Sequence, residues 1–441
     1  MPLRAGSAAR DISPRSPMSL YGYPHVKRVS TGIHDPLLAS ALVLDHAETR
    51  IVLVALDLLL LSPPIVRALR QRVAEALQMP ESGVFISCTH THSGPVTRQL
   101  LGWRNDPAVP SADPAYLAWV GDQAVATAKE AAAQLMPAEL AWTSADARGV
   151  GGNRLAADGV TDPECGILAV RHAQTRAMLA VSLIYGMHPT VLHEDSTLVS
   201  SDFPHYARVH LRERLGEGVT VLYQMGPSGN QSPRYFVAGQ TFAEAESLGR
   251  KLGAAAATAL DSIQPAHWTA APRLSAALTT VELPRRPMPT PAAARAQLEE
   301  YRRQYARLQA NGAPRPSVRT AECAVFGAEG TVALADANAS GDLAQLLKKY
   351  APVEVQVLRI GDVAVAGLPG ECFVEYGLAI KREASRRVFV VSLVNGELQG
   401  YIVTPEAAAA GGYEATNAVF APEAGAVLVQ TAVNLVERIG A

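Results

Sequence analysis

Residues 51–60 read Ile-Val-Leu-Val-Ala-Leu-Asp-Leu-Leu-Leu, and this run limits the chain to few architectures. It contains Asp57 and is too short to span a bilayer. Near-continuous apolarity over ten positions instead suits a strand buried on both faces. Residues 40–45 read as its neighbour, with the polar turn Ala47-Glu48-Thr49 between them. Residues 65–79 follow with a helical stripe of Val66, Leu69, Val73 and Leu77, and then comes the apolar run 84–87. A strand, a helix and a strand in that order predict an α/β sheet.

The same alternation recurs. Asp113-Pro114 is an N-cap followed by proline in the first turn, and predicts a helix to about residue 135. Strands are expected at 167–171, 178–185, 219–223, 353–359, 363–367 and 388–393, and helices at 241–260 and 378–384. Residues 1–36, rich in Pro, Gly and Ser, are expected to lie over the surface. Between 284 and 350 the composition changes. A proline-rich linker at 284–291 precedes a helix at 292–310 with a seam of Leu298, Tyr301, Tyr305 and Leu308. Residues 312–316 break it, and a second short helix is expected at 342–350. The expected fold is therefore α/β, with mixed, largely parallel sheets flanked by helices. Residues 284–350 form a helical insertion that packs on the body or closes over a site.

Composition narrows the function. Hydrophobic content of 48% with 18% charge in 441 residues gives a large core. A net charge of −2 and 6% aromatics offer neither a basic surface nor a stacking platform for nucleic acid. Cys88, Cys165, Cys323 and Cys372 form no CxxC, so no zinc ribbon or redox pair is indicated. Residues 1–10 contain no apolar stretch of signal-peptide length. The expectation is a soluble, cytoplasmic protein without stable membrane insertion. The oligomeric state stays open, a homo-oligomer included.

Chemistry-bearing residues fall at strand ends. The run 84–87 leads into Thr89-His90-Thr91-His92-Ser93-Gly94-Pro95, where Gly-Pro stops the strand. If extended geometry persists, alternation puts His90 and His92 on one side. Such a pair suits a metal, a general base or both; the alternative is a loop with two solvated histidines. Residues 178–185 lead to His188-Pro189, and 219–223 to Gly229-Asn230-Gln231-Ser232-Pro233. Residues 363–367 lead to Pro369-Gly370-Glu371, and 388–393 to Asn395-Gly396 and Tyr401. Open α/β sheets bind ligands at the carboxyl ends of their strands, so these groups can converge. Two histidines and a carboxylate make a ligand set for catalytic zinc with a position left for water. Taken singly, His188 reads equally as a core histidine and Glu371 as a helix N-terminal carboxylate.

Together the motifs carry a resemblance. The order THTHSGP, Asn153-Arg154, GMHP, GNQSP, LPGE, GYIVT and GGYEATNAVF resembles the neutral ceramidase family. That family shows THTHSGP, NRSP, HP after a strand, GDVSPN, PGE, and YITT followed twelve residues later by YEA. Order and spacing hold from about residue 11 to 441, so residues 1–441 are expected to form the family's catalytic domain, without its C-terminal accessory domain.

The resemblance implies that His90, His188, Glu371 and Tyr401 hold one Zn²⁺. It also implies that His92, Arg154 and Tyr413 surround the water and the scissile amide. The activity implied is hydrolysis of a carboxamide (N-acyl) bond by a zinc-activated water. Ser232 matches the serine of GDVSPN, but Pro233 stands where a GxSxG elbow needs glycine, so a structural or orienting role is expected. Asn230 and Gln231 replace the motif's aspartate and valine. With no signal and no basic bias, a small soluble amide is the expected substrate. The alternatives are a true ceramidase acting on N-acylsphingosine, a serine hydrolase using Ser232, and a non-catalytic binding protein.

Overall fold

The computed structural model describes residues 2–440. Eight strands form one sheet: β1 (Arg4–Asp11), β2 (Leu38–His46), β3 (Thr49–Leu56), β4 (Val84–Cys88), β5 (Met136–Asp146), β6 (Glu164–His172), β7 (Met178–Tyr185) and β8 (Thr220–Met225). Their spatial order is β8-β7-β6-β5-β1-β2-β3-β4. Four more, β9 (Leu274–Val281), β10 (Val353–Ile360), β11 (Val363–Gly367) and β12 (Val388–Val391), form a second sheet in chain order.

The fold is mixed α/β as expected, but the emphasis on parallel pairing is corrected. Only β3/β4 and β7/β8 in the large sheet and β11/β12 in the small one run parallel. The other neighbours are antiparallel, and three of these pairs (β2/β3, β6/β7 and β10/β11) are joined by short turns, as where His46 pairs with Thr49 and Ile360 with Val363. Each parallel pair carries a helical crossover: α1 (Pro63–Leu77), α3 (Phe203–Leu215) and α8 (Val374–Glu383) respectively.

The sheets stack face to face between helical layers. Strand alternation sends Val52, Val54 and Leu56 of β3 towards α1, α3, α2 (Pro114–Ala133) and α4 (Phe242–Asp261). It sends Ile51, Leu53 and Ala55 to the other face, against Leu358, Val363 and Val365 of the second sheet. The outer face of that sheet is covered by α8 and by α11 (Glu423–Arg438) through Ile380, Leu428 and Val436. Asp57, the polar residue in the apolar run, is fully buried. It takes two 2.7 Å bonds from the Arg208 guanidinium on α3 and one of 2.9 Å from Leu38 N.

Two close approaches fix how the sheets meet. A Cβ on Gly367 would stand 2.6 Å from the Phe85 ring, and one on Gly166 would stand 2.4 Å from the Phe389 ring. Each sheet thus lends an aromatic ring to a glycine of the other. Backbone bonds then join the carboxyl ends of the two sheets: Ser392 N to Met225 O, Gly229 N to Cys372 O and Glu397 N to Leu61 O.

The expectation that residues 1–36 lie over the surface is overturned for β1, which sits between β5 and β2 and pairs with β2 from Arg4 to Asp11. Its small residues, read as loop-forming, are needed for close packing: a Cβ on Gly6 would stand 2.2 Å from Ala131 O of α2. The segment between β9 and β10 holds three helices where two were expected: α5 (Pro291–Ala310), α6 (Arg315–Ser340) and α7 (Asp342–Tyr350). Leu298, Tyr301 and Tyr305 of α5 pack on Val325 and Ala328 of α6. The remaining helices are α9 (Pro405–Ala410) and α10 (Tyr413–Asn417). Among the described residues no helix is long and apolar enough to cross a membrane.

Gly367→Ala is expected to cost about 1–3 kcal/mol, because the added methyl overpacks the layer between the sheets. The check is a urea melt in which the midpoint falls at unchanged slope. A variant as stable as the parent would show that the Phe85 contact does not constrain the sheets.

Candidate metal centre

Five of the six strands in parallel pairs end beside one another and deliver the polar residues. His90 does not continue β4 in extended form. Its φ is +68°, so the alternation argument fails here, although its outcome stands. The turn is held by bonds from Thr89 N to Leu56 O and from His90 N to Leu58 O. It brings the His90 ring within 5.0 Å of the His92 ring and 4.7 Å of the His188 ring, centroid to centroid.

Each of the three imidazoles is held through Nδ1 by a backbone carbonyl. His90 donates to Leu59 O at 2.7 Å, His188 to Ser228 O at 2.7 Å, and His92 to Gly22 O at 3.1 Å. A carbonyl can only accept, so Nδ1 carries the proton, and in the neutral ring the lone pair then lies on Nε2. Gly22 has φ +106°, and a Cβ there would strike His92 Nδ1 at 2.4 Å, so this contact needs glycine. Ligand atoms of His90, His92 and His188 all lie within 4.8 Å of one another.

Glu371 completes the cluster. Its Oε2 stands 3.2 Å from His90 Nε2 and 3.3 Å from His188 Nε2. Two imidazole lone pairs and a carboxylate oxygen, all buried and all acceptors, face a common point. That arrangement is what a divalent cation satisfies, and carbonyl-anchored Nδ1 atoms are the usual support of metal-binding histidines. His92 Nε2 is buried and has no hydrogen-bond partner. Tyr401 is placed beside Glu371 by a short parallel ladder, Glu371 opposite Tyr401 and Cys372 opposite Ile402.

Arg154 and Tyr413 close the other side. Gly152-Asn153 pairs with Gln231-Ser232, and Arg154 N bonds Asn230 O at 2.8 Å. The Arg154 guanidinium lies 5.4 Å from the Tyr401 ring centroid and gives its Nε–H to Glu414 at 2.8 Å, while its Nη2 is buried without a partner. Tyr413 opens α10, with its ring 6.0 Å from that of Tyr401. Ser232 accepts a bond from Arg234 N at 3.2 Å.

Electrostatics follow from burial. His188 is pushed down to about 4 by burial and by the charge of Arg154, and His92 well down by burial and its two histidine neighbours, so both are neutral near pH 7. Burial pushes the Glu371 carboxyl up, but contact with His90 and His188 outweighs it and holds the group well below its usual range. Burial and the Glu371 charge raise both Tyr401 and Tyr413, which keep their phenolic protons. Burial would lower Arg154; Tyr401 and Glu414 hold it up, so it stays charged.

Two cavities meet at this wall. A small one of about 40 Å³ is lined by His90, His92, Glu371, Tyr401 and Tyr413. A larger one of about 290 Å³ is lined by His92, Arg154, Ser232, Tyr401 and Tyr413, and on its far side by Arg319, Cys323 and Phe326 of α6. All seven residues singled out from the sequence therefore line one or both cavities or, for His188, sit directly behind them. Sequence reasoning missed Glu414, the partner of Arg154, although it directly follows Tyr413. It also missed α6, which no periodic stripe announces. Thr331 on α6 bonds Thr416 O at 2.9 Å and so joins that helix to α10.

Comparison with known proteins agrees with this architecture. The chain is similar to the neutral ceramidase of Pseudomonas aeruginosa, 26% identical over 256 residues, which are 53% of this chain and 37% of that protein. The match thus spans well under half of that relative's length. A crystal structure of neutral ceramidase from Pseudomonas aeruginosa superposes with a TM-score of 0.74 at 21% identity, over 99% of this chain and 75% of that one. A structure of ceramidase complexed with C2 gives a TM-score of 0.76 at 20% identity, over 99% of this chain and 76% of that one. These two likenesses establish a shared fold. The sequence profile of the neutral/alkaline non-lysosomal ceramidase N-terminal region matches residues 4–246, more than half of the chain, which therefore belongs to the neutral/alkaline non-lysosomal ceramidase family.

Proposed function

We propose that the chain is a zinc-dependent hydrolase of carboxamide (N-acyl) bonds, with His90, His188, Glu371 and Tyr401 holding the ion. The observation that carries the reading is the set of buried acceptors: Nε2 of His90 and of His188, each freed by a carbonyl at Nδ1, facing one oxygen of Glu371. Two imidazoles, a carboxylate and a further oxygen suit catalytic zinc. When bound, zinc polarises a carbonyl and makes water more acidic.

The chain's own residues do the rest. His92 Nε2, with its lone pair free and facing both cavities, takes the proton of the attacking water and passes it to the leaving nitrogen. Arg154 Nη2, without a partner, and the Tyr413 hydroxyl donate to the oxyanion that develops on the amide oxygen. The Glu414 carboxylate holds the Arg154 guanidinium in that orientation. Ser232 lines the larger cavity, and its hydroxyl accepts from Arg234 N, which suits a substrate-orienting role.

A second ligand set is favoured by one observation: His92 lies as close to His90 and His188 as a third ligand would. The two sets separate experimentally. The expected content is about one zinc per chain. His188→Ala loses metal and turnover together. His92→Ala keeps its zinc and loses about 10²–10⁴ in rate, the range for a general acid–base group. Loss of zinc in His92→Ala would assign that histidine as a ligand, and full zinc in both His90→Ala and His188→Ala would overturn the site. Ser232→Ala is expected to cost less than His188→Ala; a covalent acyl-serine would reverse the mechanism.

For the substrate, the larger cavity of about 290 Å³ is at the lower end of ligand pockets, which supports a short acyl amide over a long-chain ceramide. The check compares kcat/KM for C16 ceramide in detergent with that for short N-acyl amines. A preference for ceramide of about tenfold or more would make the chain a ceramidase in activity as well as in family.

A further inference from the structure

The charges lining the larger cavity do not cancel. Arg154 pairs with Glu414 at 2.8 Å, and Arg319 pairs with Glu194 at 2.9 Å and Glu322 at 2.7 Å. His193 also faces Glu194, at 3.1 Å. Arg234 lines the same cavity, is exposed, and among the described residues has no carboxylate within ion-pair distance. Its backbone N–H is fixed to Ser232 Oγ, so the residue is held at the mouth close to the reacting centre. Its charge acts on the Cys323 thiol of α6: burial pushes that thiol up, and Arg319 and then Arg234 oppose the rise. The family motif GDVSPN ends on asparagine, where this chain has Arg234.

The same rim is apolar. Of the six large apolar side chains exposed among the described residues, four are Leu155, Val160, Tyr235 and Phe236. All four belong to the two segments joined by the Gly152-Asn153 and Gln231-Ser232 ladder, and Leu155 and Tyr235 line the cavity itself. Scattered exposed apolar residues need no explanation, but a cluster at a cavity mouth marks a contact site.

We propose that Arg234 is a specificity residue for a carboxylate on the substrate, so that the preferred amide is an N-acyl amino acid whose short acyl chain lies on the Leu155–Tyr235 rim. An unpaired guanidinium matches a carboxylate in charge and in planar geometry, which a neutral amide end cannot exploit. The proposal rests on the amidohydrolase reading. The reaction adds one water across the C–N bond, releasing the fatty acid and the amino acid with the proton on its nitrogen.

N-octanoylglycine and N-octanoylglycinamide form a matched pair that differs only in the carboxylate. The zinc-loaded parent is expected to favour the acid in kcat/KM by about tenfold, the worth of one charge-assisted contact. In Arg234→Gln the ratio falls to near one, with the loss carried by KM of the acid, and Arg234→Lys restores part of it. A parent that treats both compounds alike, or a variant that loses both in proportion, overturns the proposal. If neither compound is hydrolysed, it is the amidase reading that fails. Calorimetric titration with the two compounds then decides the specificity claim alone: tighter binding of the acid, lost in Arg234→Gln, supports it, and equal binding overturns it.

Discussion

The contact on which the site depends is the exchange of aromatic rings between the sheets. Phe85 lies on β4, five residues before His90, and its ring occupies the space over Gly367. Gly367 ends β11, four residues before Glu371. The contact that sets one strand against the other therefore also sets the histidine against the carboxylate. Phe389 over Gly166 does the same from the opposite sheet and prevents rotation about the first contact. Close-packed interiors do not deform continuously, so the spacing of His90 and Glu371 inherits the precision of this dry layer rather than of the loops.

The split of the site across two sheets has an energetic side. His90 and His188 come from the first sheet, Glu371 and Tyr401 from segments that follow the second. Neither sheet alone presents the complete set of acceptors. A cation held between them would draw together the same surfaces that Phe85 and Phe389 join, so metal binding and docking of the sheets are linked. The backbone bonds from Gly229 to Cys372 and from Ser392 to Met225 run alongside, and leave the two halves little freedom to open at this edge.

Much of this was legible in the sequence, for a definable reason. Strands 178–185 and 363–367 and the helix 342–350 agree with the structure to the residue, because turn-forming or polar residues bound each apolar run. The convergence of His90, His188, Glu371 and Tyr401 was legible because they follow strands in parallel pairs, where turns of glycine and proline mark the exits; Arg154 and Tyr413 entered only through the family resemblance. The antiparallel pairing of β1 with β5 and of β9 with β10 was not legible, since an apolar run carries no trace of a distant partner's direction. β1 was lost because residues 1–36, rich in Pro, Gly and Ser, read as surface chain, whereas Gly6 in fact serves close packing against α2. His90 shows a different limit: a left-handed residue between two threonines has no sequence signal, yet it is what turns the ring inward.

The helical segment between β9 and β10 leaves and returns at one point, for Val281 and Val353 stand opposite each other in the ladder. To the sheets it is equivalent to a hairpin turn, whatever its length. Yet α6 supplies one wall of the larger cavity, opposite His92, Arg154 and Tyr413. One wall of the cavity and the histidine–glutamate cluster are thus written on separate stretches of chain. Such a division leaves the wall free to vary in sequence and length without displacing the cluster or the sheets that carry it.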